Sequence, residues 1–382
     1  MIKREKLKER IINSINLSKI TAILGPRQCG KTTISKQINI LSPIRIFDLE
    51  DPTDRSALSE APKLTLSLLK GLVIIDEIQK MPELFAILRV LSDRTESTTK
   101  FLILGSASPN LIKNVSETLA GRVSFVDITG FNIDEIKDDL YRKLWLRGGF
   151  PLSFLANSNE NSFLWRENFI RTFLERDIPQ LGINIPAITL RRFWTMLAHY
   201  HGQIWNASEP ARSLSISVPT VKHYLDILSG AYVVRQIHPW FENIKKRQVK
   251  SPKVYIRDSG ILHSLLTLKS DQIISHPKLG ASWEGFVIEQ IVNLFNTRNY
   301  YYWATQAGAE LDLLVFENGK KIGFEIKYTE TPKIIRSMRI ALNDLKLDRL
   351  FVIYPGDKDF FLNEMIYVIA LKNLKTIYLH LR

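Results

Sequence analysis

The sequence predicts a mixed α/β fold built in three successive parts, and three observations predict it. An apolar, strand-like run at residues 19–24 feeds directly into a glycine-bounded loop, Gly25, Pro26, Arg27, Gln28, Cys29, Gly30, Lys31 and Thr32. A helix, turn, helix and hairpin pattern occupies residues 205–257. Toward the C-terminus, carboxylates interrupt strand-like runs that are otherwise apolar. Together these set the expected parts at residues 1–145, 146–265 and 266–382: an αβα core, a helical and winged-helix region, and a small α/β domain.

Composition bounds the reading. At 382 residues the chain is long for one compact domain. Its 45% hydrophobic and 24% charged residues are the balance of a globular protein with real cores. No apolar run approaches the roughly 18 residues that cross a bilayer, so no membrane partner is expected. Residues 1–20 are charged and lack the apolar stretch of a signal peptide. The single cysteine, Cys29, excludes an intramolecular disulfide framework and a Cys-rich zinc site. These features predict a cytoplasmic protein. The net charge of +13 would attract polyanions, which makes nucleic acid an expected partner.

The N-terminal loop has the form G-x-x-x-x-G-K-T and is followed by a helix-like stretch at residues 33–38. Gly25 and Gly30 let the loop wrap so that backbone N–H groups point inward at phosphate oxygens, and the following helix adds its positive dipole end. The expected binding set is therefore Gly25, Pro26, Arg27, Gln28, Cys29, Gly30, Lys31, Thr32 and Thr33. Lys31 reaches the β- and γ-phosphates, and the Thr32 hydroxyl ligates magnesium. Cys29 reads as a small loop residue. A second element makes the motif specific: an aliphatic run ending in Asp76 and Glu77. Asp76 is placed to hold magnesium through its water shell, and Glu77 to polarise the attacking water. A third strand, at residues 100–105, ends in Ser106 and Ser108, where a hydroxyl can sense the γ-phosphate. Arg122 precedes a further strand at residues 123–128 and is the expected arginine finger toward a neighbouring subunit.

With these residues in place, the chain resembles the prokaryotic AAA-type ATPases. The resemblance rests on the loop residues from Gly25 to Thr32, on Asp76, Glu77, Ile78 and Gln79, on the Gly105-Ser106 strand end, and on Ala120, Gly121 and Arg122. More narrowly, it is similar to the branch whose C-terminal half is an uncharacterised region with a nuclease-like fold. That resemblance implies an αβα ATPase core, ATP and magnesium as ligands, and a homo-oligomer. The sequence departs from the family pattern at residues 128–136.

In the middle part, Gly148, Gly149 and Pro151 mark a turn, and helices are expected near residues 163–175 and 190–199. Ser208 can cap a short helix with Pro210 in its first turn. A second helix follows, with Val221, Tyr224, Leu225 and Leu228 along one face and Gly230 as its stop. Strands at 231–237 and 253–257 complete a winged-helix pattern. In its nucleic-acid reading, Thr220, Lys222 and His223 enter the major groove, while Lys245, Lys246, Arg247 and Lys250 meet phosphates. His199, His201 and His223 lack the carboxylate or cysteine partners of a zinc site and read as ordinary core or surface residues.

In the last part a helix carries Glu284, a strand at 309–316 carries Asp312, and a strand at 321–328 carries Glu325 and Lys327. Strand alternation puts Glu325 and Lys327 on one face. Two acids on adjacent strands with a nearby lysine can hold divalent metal and turn a water on a phosphodiester, and Glu284 completes the cluster. Asp312, within an apolar strand, needs a ligand or cation partner, because burying it alone is costly. This constellation resembles the restriction-endonuclease-like superfamily, particularly its Holliday-junction-resolvase-like members, and implies a second divalent metal site. The expected function is an AAA-type ATPase acting on or near nucleic acid with a metal-dependent nuclease domain. The alternative is an ATP-controlled switch or scaffold whose C-terminal parts make protein contacts only.

Overall fold

The computed structural model describes residues 2–96, 98–106, 115, 117–242 and 248–381. The chain divides into two compact units, one of Met1–Gly130 with Gly230–Tyr232, the other of Phe131–Ser229 with Val233–Arg382.

In the first unit five strands pair in parallel: β1 (Ile20–Gly25), β2 (Ile44–Asp48), β3 (Leu72–Asp76), β4 (Lys100–Ser106) and β5 (Val123–Asp127). Their order is β2-β3-β4-β1-β5, so the strand that enters the loop lies inside the sheet, between β4 and β5. The sequence explains the burial. β1 and β3 are runs of aliphatic residues without polar alternation, and every residue of both is buried, as in a strand covered on both faces. Phe47, Val73, Ile75, Phe101 and Ile103 form one core with Leu84, Phe85 and Leu88 of the helix Leu84–Ser92. Truncating Phe101 to Ala would cost about 3–5 kcal/mol through the cavity it leaves. Because all five strands run the same way, β1, β3 and β4 end at one sheet edge, and Gly25 is paired with Ser106 there. Ligands of open parallel sheets bind at that edge.

The second unit begins with helices. Tyr141–Arg147 ends at Gly148, whose backbone is left-handed (φ 78°). Asp258 caps the helix Ser259–Leu265 by accepting the Ile261 N–H at 2.9 Å, and its other carboxylate oxygen accepts the Gly149 N–H at 2.7 Å. A Cβ at Gly148 would lie 2.0 Å from Asp258 Oδ1, so the Gly148-Gly149 pair is a structural joint. The helix expected at 163–175 runs from Asn159 to Thr172 and continues as a π turn over Phe173–Asp177. The one expected at 190–199 spans Ala187–His199.

Helices Ser208–Leu214 and Val218–Gly230 follow, and β6 (Gln203–Ile204), β7 (Val234–Ile237) and β8 (Lys253–Ile256) form an antiparallel sheet in the order β6-β8-β7. Val221, Tyr224, Leu225 and Leu228 are buried, while Lys222 and His223 face out. β7 starts at Val234, later than the residue 231 expected. Positive φ at Tyr232 (62°) keeps that residue out of an extended strand.

The last sheet contains β9 (Tyr300–Ala304), β10 (Glu310–Glu317), β11 (Lys320–Ile326), β12 (Arg349–Tyr354), β13 (Phe360–Phe361) and β14 (Ile366–Ala370), in the order β13-β14-β12-β11-β10-β9. β10 and β11 are a hairpin whose two-residue turn, Asn318 (φ 49°) and Gly319 (φ 78°), supplies the left-handed backbone such turns need. Helix Arg336–Leu345 packs Met338, Ala341 and Leu345 against Leu350, Val352, Ile366 and Val368. Helix Leu279–Phe295 is anchored through Glu289, which accepts from Arg235 Nη2 at 2.9 Å and Arg257 Nε at 3.3 Å. No helix among the described residues is long and apolar enough to cross a membrane.

Candidate nucleotide site and C-terminal carboxylate cluster

The loop after β1 is shaped by backbone that few residues tolerate. Gln28 (φ 61°) and Gly30 (φ 99°) are left-handed, and a Cβ on Gly25 would lie 2.3 Å from the Ile128 carbonyl oxygen. Gly30 then caps the helix Lys31–Ser35, shorter than the 33–38 stretch expected but starting at the loop. Lys31 is buried, and its Nζ donates to the carbonyls of Gly25 (3.1 Å) and Pro26 (2.8 Å). The Thr32 hydroxyl donates to Asp76 Oδ2 at 2.6 Å, joining the loop to the end of β3. Asp76 is 4% exposed, and its Oδ1 accepts the Glu77 N–H at 2.9 Å. Arg27 pairs with Glu50 at 3.0 Å, Cys29 is buried, and Thr33 is exposed.

Glu77 sits just past the strand in left-handed backbone (φ 52°), a strained placement for a non-glycine residue. Burial pushes its carboxyl above the usual range, against the pull of Lys31 and Arg27. Gln79 Nε2 donates to the Glu77 carboxylate, and Gln79 Oε1 is buried with no partner among the described residues. Ser106 Oγ, beside Gly25, is likewise buried without a partner there. The Ser106 hydroxyl can donate to a phosphate oxygen, Gln79 Oε1 can accept from a water beside it, and Thr32 with Asp76 offers oxygen ligands, so the residues present fit ATP with magnesium. Arg122 lies away from these groups. It makes a two-point ion pair with Asp93, at 2.6 and 3.1 Å. Ser108 is outside the described residues.

Two contributors at this site escape sequence reasoning. Arg4 is buried and donates to the carbonyls of Cys29 (3.2 Å), Thr129 (3.1 Å) and Gly130 (3.1 Å), bracing the loop from behind. Nothing local in the sequence marks it. Gln79 was visible only as the fourth letter of the Asp76-Glu77-Ile78-Gln79 run.

In the second unit the expected acids do converge, but around lysines. Extending the β10–β11 register by one position sets Asp312 opposite Glu325, and Asp312 Oδ2 accepts the Ile326 N–H at 2.8 Å. Lys327 pairs with Glu325 Oε1 at 2.6 Å, and Glu325 Oε2 is buried without a partner among the described residues. Glu284, on helix Leu279–Phe295, accepts the Tyr255 hydroxyl at 2.6 Å and Lys253 Nζ at 3.4 Å. Lys253, from β8, also pairs with Glu310. Burial raises Glu284 to about 7 and Glu325 to about 8, the latter helped by the charge of Asp312.

Among the described residues no group of three or more His, Cys, Asp or Glu side chains is disposed to hold a metal ion. Lys327 lies on Glu325, where the expected set of Glu284, Asp312, Glu325 and Lys327 puts it, but Lys253, which that set does not include, lies on Glu284. Lys253 stands at the first position of β8, directly after Pro252, where a lysine is ordinary, so nothing local in the sequence marks it. Lys222 and Lys250 are exposed. Lys245, Lys246 and Arg247 fall outside the described residues.

Sheet order, loop and carboxylates define an AAA-type P-loop ATPase fold, and residues 17–137 match the family model described as an AAA domain, which implies use of a nucleotide and magnesium. The chain belongs to the same family as the uncharacterized proteins Rv2008c of Mycobacterium tuberculosis and Mb2031c of Mycobacterium bovis. Each is 50% identical over 377 residues, covering 98% of this chain and 85% of the relative. Residues 138–272 and 279–374 match two models described as domains of unknown function. Among solved structures, the Walker-type ATPase PABY2304 of Pyrococcus abyssi aligns at 15% identity with a TM-score of 0.48, covering 70% of this chain and 96% of that one.

Proposed function

We propose that the chain hydrolyses ATP and spends the cycle on a nucleic-acid partner. The observation that carries the hydrolytic half is the Thr32–Asp76 hydrogen bond, with Glu77 next in the chain. Lys31, which rests on two loop carbonyls, is the donor that exchanges them for phosphate oxygens. Thr32 and Asp76 are the residues to hold magnesium. Bound magnesium neutralises charge on the phosphate oxygens during transfer. Glu77, its carboxyl raised by burial, is a stronger base than an exposed glutamate and is suited to take a proton from water. Ser106 offers a hydroxyl at the neighbouring strand end. ATP turnover by purified protein tests this: Lys31→Ala should abolish it, and Glu77→Gln should bind ATP without hydrolysing it. Turnover of Lys31→Ala at the wild-type rate would sink the reading.

The nucleic-acid half is supported by the net charge of +13 and by Lys222, His223 and Lys250 on exposed positions of the winged-helix-like region. DNA or RNA should stimulate turnover, and the stimulation should fall steeply with salt. A flat salt response with ATP-dependent assembly would instead favour a switch that makes protein contacts. In a homo-oligomer Arg122 would leave Asp93 to reach a neighbour's nucleotide, so Arg122→Ala should lower turnover at concentrations where chains assemble. Lys327 on Glu325 is the lysine that a cutting site with Glu284 and Asp312 requires, but Lys253 on Glu284 competes with metal there, so metal-dependent cutting is not part of this reading.

A further inference from the structure

The carboxylate cluster of the second unit has a cation of its own. Lys253 is 3% exposed, and its Nζ lies between Glu284 and Glu310 and 5.5 Å from the centre of the Tyr302 ring. The Tyr255 hydroxyl donates to the same Glu284 oxygen, Oε1, at 2.6 Å. A buried ammonium is tolerated only while paired, and a ring face adds to its stabilisation. The remaining acids are also engaged: Asp312 Oδ2 by the Ile326 N–H and Glu325 Oε1 by Lys327. Glu325 Oε2 is buried without a partner among the described residues. The pocket is therefore built for positive charge, and an amino group fills it. A divalent ion would need several of these oxygens at about 2.0–2.6 Å, and would have to share Glu284 with a buried ammonium and lie beside its charge at Asp312.

We propose that Lys253 is the resident cation of this carboxylate cluster and keeps divalent metal out of it. The inference is independent of the ATPase reading, because it concerns residues of the other unit alone. It predicts that the pocket becomes a metal site when the ammonium is removed and the acids are kept.

The experiment is Mn2+ binding to the nucleotide-free full-length protein, followed by electron paramagnetic resonance of free Mn2+. Wild type, Lys253→Met and Lys253→Gln are compared, each with and without Asp312→Asn. The expected result is no Asp312-dependent binding in wild type, and a gain of at least tenfold in affinity in both Lys253 variants that Asp312→Asn removes. Lys253→Gln keeps an N–H donor for Glu284 and serves if Lys253→Met does not fold. Asp312-dependent Mn2+ binding by wild type would overturn the proposal on its own. Folded Lys253 variants that gain no Mn2+ site would overturn it equally.

Discussion

The Thr32 hydroxyl and the Asp76 carboxylate meet at 2.6 Å across 44 residues of sequence, so the two positions proposed to hold magnesium are joined to each other. Asp76 is buried, and its second oxygen accepts the Glu77 N–H. Thr32→Ala removes the hydroxyl donor and a metal ligand at once. Turnover should fall by about 100-fold or more, the scale of losing one electrostatic contact to a reacting phosphate. Stability should fall by about 1–3 kcal/mol, the cost of a buried acceptor losing a partner. Thr32→Ser keeps the hydroxyl and should restore most of both. ATP turnover and urea unfolding read the two effects, and equal activity of the Ala and Ser variants would remove Thr32 from the site.

Arg4 gives the loop a second support that has no counterpart in the motif. Its guanidinium reaches the Cys29, Thr129 and Gly130 carbonyls together, so loop and chain beyond β5 are held by one side chain. Arg4→Met keeps the apolar stem and removes every donor. The loop should lose rigidity in the very backbone that cradles phosphate, raising KM for ATP several-fold while kcat changes less. Thermal unfolding should shift down by the equivalent of about 1–3 kcal/mol. A variant with wild-type KM and stability would show that the loop holds its shape without this brace.

Arg4 and Lys253 also mark where sequence reading stops. The parallel core was legible because β1, β3 and β4 are short aliphatic runs ending in Gly25, Asp76 and Ser106, and both signals are local. The β10–β11 hairpin was legible from alternation and the Asn318-Gly319 turn. The acids at 284, 312 and 325 do come near one another, as their spacing suggested. What spacing could not supply was the partner. Lys253 meets Glu284 from 31 residues away and Arg4 meets Gly130 from 126, and neither pairing leaves a periodic trace. A charged residue in an apolar strand announces that it has a partner, but it does not say whether that partner is a metal ion or another side chain.

The second unit should be most stable on the acid side of neutrality, because its buried titrating groups work in opposite directions. Burial lowers His201 and His263 to about 3, whereas in the unfolded chain each binds a proton near about 6.5. Below that pH the unfolded state gains protons that the fold refuses, so these two groups lower stability as pH falls. Glu284 and Glu325 do the reverse. Raised to about 7 and about 8, they are protonated in the fold while their unfolded counterparts, near about 4.3, are still charged. Their protonation therefore favours the fold as pH falls through 8 to 7, and that gain is lost as pH rises again.

Between about pH 6.5 and 4.3 the two pairs offset one another. On the acid side the histidines act together with Glu289, whose burial is outweighed by Arg235 and Arg257 so that it sits below the usual range, and against Asp258, which burial raises. Each group contributes up to about 1.4 kcal/mol per pH unit within its window. Urea unfolding of the full chain from pH 3.5 to 8.5, followed by the tryptophans of this unit, should trace a plateau with two falling limbs. Glu325→Gln should flatten the alkaline limb, and His263→Gln should make the acid limb shallower. Limbs unchanged by either substitution would mean that other groups set the pH dependence of this unit.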